Sequence, residues 1–349
     1  MSETVRVIYI IGAGRSGSTL LDTVLASHPD VVGVGELANL HRAGWTSNEV
    51  CACGKLGTEC DFWTRVREGW QQRVPEATVE GYVGLQKRIE LFSGLFSGLG
   101  LMQLARMLRQ RFSPTADFQA YLRQTEALYH SIAEISGKSI IVDSSKHPIR
   151  GALLAHLHGI DLRLVHLVRD ARAVVWSRRK SLEADQKSGV QFAIKPRSAW
   201  YSVAFWAFMN VLAAITCLFR RRQSLRMRYE DFVAEPQAQL ERLGRMCGLD
   251  YSATSQALLT GQPLKVKHPI AGNRMRMKGN VTLKPDWEWR DRLPVRDRAV
   301  CWLCAGWLLL AFGYGRQRDG RRPSAPASPS RFASVWGCFT RSIAPAAKL

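Results

Sequence analysis

The hydrophobic pattern of this chain switches repeatedly between two kinds of segment. Val5-Arg-Val-Ile-Tyr-Ile-Ile11 is a short β-branched run without a helical repeat, and it predicts a strand buried on both faces of a parallel sheet. A glycine-bearing turn follows. Thr19 to Ser27 then reads as a helix that His28-Pro29-Asp30 stops, because proline pushes the residue before it out of the α region. Val31 to Val34 is again strand-like and ends at Gly35-Glu36. From about 64 to 137 the apolar period is helical, most clearly at Phe118, Leu122, Leu128, Ile132 and Ile135. Ser139 to Val142 and Leu162 to Val168 return to the strand pattern, with a helical stretch from Pro148 to His158 between them. Leu225 to Tyr229 predicts one more strand, and Pro236 opens a helix carrying Leu240, Leu243 and Met246 on one face.

Strand, turn, helix and strand in alternation predict an α/β fold, a parallel sheet with helices on both faces. One domain over residues 1–315 is expected, with a helical insertion at 64–137. After Gly315 the composition turns to Arg, Pro, Ser and Ala without periodicity, which predicts a disordered basic tail over 316–349. Ser198 to Phe219 carries no charge, is flanked by Arg197 and Arg220-Arg221-Arg222, and reaches the ~20 residues that span a bilayer. Strand-like segments lie on both sides of it, and one sheet cannot be assembled across a membrane. A buried core helix is therefore expected, with a helix lying in a membrane interface as the alternative.

Composition narrows the partners. The net charge of +20 calls for anions: nucleic acid, an anionic membrane surface or a polyanionic nucleotide. No nucleic-acid motif or interleaved aromatic pattern is present, so no nucleic-acid partner is expected, while a peripheral membrane contact stays open. Val5 to Ile11 is too short for the apolar core of a signal peptide, so the expected location is cytoplasmic and the eight cysteines are expected to be mostly reduced. Cys51, Cys53 and Cys60 form a CxC-x6-C cluster, readable as a zinc site or a disulfide, but without a fourth ligand at clear spacing. Cys301 and Cys304 sit in an apolar helix-like run and read as packing residues. His41 and His166 have no ligand partner at suitable spacing and read as structural. Trp287 and Trp289 suit stacking on a flat ligand ring, lining a pocket or plain packing equally.

The chemistry concentrates after the first strand. Gly12-Ala-Gly14-Arg15-Ser16-Gly17-Ser18-Thr19 lies between a strand and a helix, where glycines let backbone N–H groups curl around an anion and the helix N-terminus adds partial positive charge. The spacing is that of the phosphate loop G-x4-G-K-[ST], with Ser18 in the lysine position and Arg15 supplying a forked cation. This makes the expected sheet P-loop-like. A second element is Leu167-Val-Arg169-Asp170-Ala-Arg172-Ala-Val-Val-Trp-Ser177. Arg169 leaves a strand and Ser177 faces it two helical turns later, so both can reach one phosphate.

Arg15-Ser-Gly-Ser-Thr-Leu-Leu resembles the 5′-phosphosulfate loop of the PAPS-dependent sulfotransferase superfamily, PAPS being 3′-phosphoadenosine 5′-phosphosulfate. The stretch through His28-Pro-Asp to Gly35-Glu36 is similar to the tyrosylprotein sulfotransferases and is shared by bacterial sulfotransferases. The Arg169–Ser177 segment resembles the family's 3′-phosphate motif. Tyr229-Glu230-Asp231-Phe232 looks like its Y-E-D-[FL] segment, and Gly272-Asn273-Arg274 looks like its late loop over the nucleotide. The likeness runs over roughly residues 5 to 315 and is thin over 64 to 137. It implies that Gly14, Arg15, Ser16, Gly17, Ser18 and Thr19 hold the 5′ end of PAPS. It further implies that Arg169 and Ser177 hold the 3′-phosphate, and that Asn273 and Arg274 cover the nucleotide. Glu36 would be the general base and Lys146 the donor to the bridging oxygen, with 3′,5′-ADP leaving and no metal required. Asp143 and His147 are further base candidates, ranked below Glu36. The unidentified acceptor would be a hydroxyl or amine of a glycan, lipid-linked or small molecule. Two rival readings remain. One is a degenerate P-loop kinase or NTPase, against which the missing loop lysine speaks. The other is a non-catalytic module binding anionic membrane or nucleic acid.

Overall fold

The computed structural model describes residues 4–90, 99–110, 112–181, 183, 185, 193, 195–264, 267–277, 283 and 286–315. The elements in chain order begin with β1 (Val5–Ile11), α1 (Ser18–Leu25), β2 (Val31–Gly33), α2 (Asp61–Arg73), α3 (Val79–Glu90), α4 (Leu99–Arg109) and α5 (Ala116–Ser136). They continue with β3 (Ile140–Lys146), α6 (Pro148–Leu154), β4 (Ile160–Val168), α7 (Ala171–Arg179), α8 (Ala199–Phe219) and β5 (Ser224–Arg228). The last are α9 (Tyr229–Ala234), α10 (Pro236–Cys247), α11 (Ser252–Leu259), α12 (Trp289–Arg292) and α13 (Val295–Ala311).

Among the described residues, five strands form one parallel sheet in the order β2-β3-β1-β4-β5. The chain leaves β1 toward β2 on one side, whereas it leaves β4 toward β5 on the other. The crevice between the tips of β1 and β4 is thus a topological switch point, where open α/β sheets bind ligands. The period-2 alternation of β1 supplies both faces of the core. Val7, Tyr9 and Ile11 pack with Trp63, Trp70, Tyr121 and Leu128 of the helices between β2 and β3, while Ile8 and Ile10 pack with Leu21, Val24 and Leu243 on the opposite face.

Two segments differ instructively from the sequence pattern. β3 runs on to Lys146, past the expected end at Val142, although the added residues are polar. Each is satisfied inside the protein: Tyr129 donates to the Asp143 carboxylate (2.6 Å), and Ser144 donates to Asp22 (2.7 Å). Burial of polar groups is tolerated where such partners exist. The uncharged run 198–219 forms α8, capped by the Ser198 hydroxyl accepting from Tyr201 N–H. Its Val203, Trp206, Leu212 and Ala213 are buried, while Trp200, Leu218 and Phe219 near its ends stay exposed. α8 is long and apolar enough to cross a membrane by length and composition, yet it lies against α7, α13 and the sheet. Cys301 and Cys304 lie on α13, the first buried and the second exposed, so they do not face one site.

Candidate active site

The loop after β1 is shaped by close approach. Gly17, the residue before α1, has φ 89°, and a Cβ there would stand 2.4 Å from the Tyr229 ring. Only glycine combines that conformation with that contact. Among the described residues no side chain caps α1, and its first turn holds no acidic residue, a helix start of the kind that suits an anion. Ser16 is buried, and its hydroxyl has no partner among the described residues. A side chain at Gly14 would meet open space. A buried hydroxyl without a partner beside an uncapped helix start fits the phosphate end of a nucleotide. Ser18 is buried at the first turn of α1, and the Thr19 hydroxyl accepts from Asn273 N–H at 3.4 Å.

Arg169 follows β4 at the next strand tip. Its Nη1 donates to the Arg15 carbonyl (3.1 Å), joining the two strand tips directly. The guanidinium lies over the Tyr229 ring at 4.5 Å, and Trp206 of α8 donates to the Arg169 carbonyl (2.8 Å). The Y-E-D-F segment is therefore scaffolding. Tyr229 packs against both Gly17 and Arg169, while Glu230 accepts from Asp170 N–H (3.0 Å) and from the Tyr314 hydroxyl (2.6 Å). Ser177 sits on α7, eight residues beyond Arg169 and half-buried. No pattern in the sequence marks Asp286, whose carboxylate pairs with Arg169 Nη2 at 2.7 Å. Arg169 Nε has no partner among the described residues.

Glu36 and Lys146 meet at the tip of β3. The backbone of residues 34–35 continues alongside β3, with Val34 N–H donating to Val142 and Ser144 N–H donating to Gly35. Lys146 lies opposite Ile11 of β1, and its carbonyl accepts from Gly12 N–H (3.0 Å). Its ammonium forms an ion pair with Glu36 Oε1, while Asn39 donates to Oε2 (2.9 Å). Gly272, at φ 94°, passes so close that a Cβ there would stand 3.2 Å from Glu36 Oε1. Three of the four described non-glycine residues with positive φ are Arg15, Lys146 and Ala271, all in this region. Such strain collects where a surrounding structure fixes functional groups.

The alternative bases are placed otherwise. Asp143 is fully buried, accepting from Tyr129 and from Ser145 N–H (2.8 Å), and burial raises its pKa. It holds the strand end rather than facing a ligand. Burial lowers the His147 imidazole to about 4, so it is neutral at pH 7; it precedes α6, and its carbonyl accepts from Tyr9. Asp22, on α1, is a buried acid that the sequence reading passed over, and burial lifts it to about 7. A lone acid inside the apolar helix sequence Ser18-Thr-Leu-Leu-Asp22-Thr-Val-Leu25 was its signal. Asn273 contributes its backbone to the site, and its side chain accepts from Met275 N–H (3.0 Å). The Arg274 side chain lies outside the described residues. Trp289 packs beneath Arg172 at 4.4 Å, and the more exposed Trp287 carries Arg290 at 4.1 Å.

A glycine loop at the tip of β1, an arginine at the tip of β4 and an acid–lysine pair beside them gather at one edge of a parallel α/β sheet. The family model described as the sulfotransferase family matches residues 7–80 and 85–253, more than half of the chain, and the protein belongs to that family. Solved structures similar to it include the sulfotransferase domain of the Synechococcus PCC 7002 olefin synthase, at 20% identity over 88% of this chain and 96% of that one, with a TM-score of 0.43. Sulfotransferase STF9 from Mycobacterium avium is 12% identical over 91% of this chain and 79% of its own, with a TM-score of 0.43. A comparison with curated proteins returned no match.

Proposed function

We propose that this sulfotransferase takes its sulfuryl group from PAPS and moves it to a hydroxyl or amine by in-line displacement. The observation that carries this reading is the Glu36–Lys146 pair, set beside the loop whose Gly12 N–H bonds the Lys146 carbonyl. The loop amides, Ser16 and Arg15 would hold the 5′-phosphosulfate, and Arg169 with Ser177 the 3′-phosphate. The acceptor oxygen or nitrogen attacks sulfur while its proton passes to a Glu36 carboxylate oxygen. The bond from sulfur to the bridging oxygen breaks, and its electron pair stays on the 5′-phosphate of 3′,5′-ADP. Lys146, released from Glu36 as the carboxylate takes the proton, donates to that leaving oxygen. An acid and a lysine already in contact need little movement to exchange these roles, which supports the assignment. The acceptor is a hydroxyl or amine of a glycan, lipid-linked or small molecule.

The test uses radiolabelled PAPS with an acceptor panel and the Glu36→Gln variant. Loss of a general base lowers transfer by about 10²–10⁴-fold. Calorimetry should find 3′,5′-ADP affinity nearly unchanged in the variant. Full transfer by Glu36→Gln removes the base assignment, and no uptake of 3′,5′-ADP by the folded wild type removes the donor assignment.

A further inference from the structure

Cys51 and Cys53 lie in a turn closed by a bridge between Val50 and Leu56, and Cys60 follows at the start of α2. The fourth group is far away in sequence: His268 approaches from the segment before Ile270, 208 residues beyond Cys60. The Sγ of Cys60 is 3.6 Å from that of Cys53 and 3.7 Å from that of Cys51. His268 Nδ1 is 3.4 Å from Cys60 Sγ and 3.9 Å from Cys51 Sγ, and all four ligand atoms lie within 4.8 Å of one another.

These separations have a simple geometric meaning. With Zn–S near 2.3 Å and Zn–N near 2.0–2.1 Å, a regular tetrahedron has S···S edges of ~3.8 Å and S···N edges of ~3.5 Å. A disulfide would instead draw one pair of sulfurs to about 2.05 Å and leave a thiol and an imidazole unused. Three thiols and an imidazole form a soft, four-coordinate donor set that suits zinc over hard cations and leaves no open position for catalysis.

We propose that Cys51, Cys53, Cys60 and His268 form a structural zinc site that clips the 50–60 segment to the segment running from His268 to Asn273. The clip is continued by protein contacts. Ala52 N–H donates to the Pro269 carbonyl (3.2 Å), Trp63 Nε1 donates to the His268 carbonyl (2.9 Å), and Phe62 stacks on the His268 ring. Two residues further on, Ile270 N–H donates to Val34 (3.1 Å), and its carbonyl accepts from Glu36 N–H (3.0 Å). Next come Gly272, against the Glu36 carboxylate, and Asn273, at Thr19. The metal thus anchors the strip of chain that backs Glu36, and it does so outside the reacting groups.

The test needs neither donor nor acceptor, so its outcome is separable from the sulfuryl-transfer reading. Full-length protein purified without chelator is analysed by elemental mass spectrometry, with one zinc per chain expected. Growth in cobalt should give the visible bands of tetrahedral thiolate-bound cobalt. Cys53→Ser, at an exposed position, and His268→Ala should each lose most of the metal. Their backbone amides at Ile270 and Glu36 should exchange faster by hydrogen–deuterium exchange. Folded wild type without stoichiometric zinc overturns the proposal. So does another metal in its place, a peptide map showing Cys60 in a disulfide with Cys51 or Cys53, or full zinc retention by both variants. If a variant fails to fold, the wild-type metal content and peptide map still decide.

Discussion

The two proposed anion cradles, at the tips of β1 and β4, are built on different principles. The first comes from one contiguous stretch, residues 12–19, and works through backbone N–H groups, an uncapped helix start and the unpartnered Ser16 hydroxyl. Those dipoles are fixed by the fold and stand ready for an anion. The second depends on one guanidinium that is already engaged, because Asp286 arrives from 117 residues away to pair with Arg169. Under the proposed function, a 3′-phosphate would compete with that carboxylate for Nη2, while Nε has no partner among the described residues. In this reading the first cradle is preformed and the second is exchanged, although the Arg169–Arg15 hydrogen bond joins them.

The sharpest way to break this contrast is at Gly17. Gly17→Ala forces a left-handed side chain into the Tyr229 ring, at a cost of about 2–5 kcal/mol from backbone strain plus overpacking. A large fall in Tm and loss of 3′,5′-ADP binding are expected; unchanged values would mean that the loop adapts and is not preformed. Beneath the same loop, Asp22 gives the next effect. Its acid is shifted up from 3.8 to about 7 by burial, so the folded state holds a proton that the unfolded chain releases above pH 4. Stability is therefore fully present below about pH 4 and declines as pH rises toward 7. Between pH 5 and 6 wild type should lose about 1.4 kcal/mol per pH unit relative to Asp22→Asn, and the slope should flatten as pH passes 7. Parallel melting profiles of the two proteins across that range would sink the assignment.

At the second cradle, Arg169→Ala removes charge-assisted hydrogen bonds worth about 1.5–3 kcal/mol, and should weaken 3′,5′-ADP by about 10–100-fold in calorimetry. Asp286→Asn tests the exchange itself. The Asp286 carboxylate is 40% exposed, and exposed pairs contribute only ~0.2–1 kcal/mol, so 3′,5′-ADP should bind up to about fivefold tighter. The gain should shrink as salt rises. Weaker binding by Asp286→Asn would instead make Asp286 part of the nucleotide's own support.

Some positions were readable because their signals are local. The strand at Val5–Ile11, the glycine loop and the proline-started helix at Pro236 each rest on neighbours within a few residues. Glu36 stands out through the family resemblance of the stretch from Arg15 to Gly35-Glu36, and the fold brings it to Lys146. The end of β3 was less readable. Asp143-Ser-Ser-Lys146 reads as a polar turn until Tyr129 and Asp22 supply partners. His268 had no pattern linking it to Cys51, Cys53 and Cys60, since its spacing to them carries no local constraint.

By itself the sequence determined the layered α/β architecture and the loop at the tip of β1. Hydrophobic period and glycine placement act through backbone geometry that a few consecutive residues fix. Only the tertiary structure decided that Asp286 faces Arg169, that Lys146 grips Glu36 and that His268 completes the cysteine cluster. Those contacts join residues more than 100 positions apart, and the path of the folded chain, not any local pattern, brings them together.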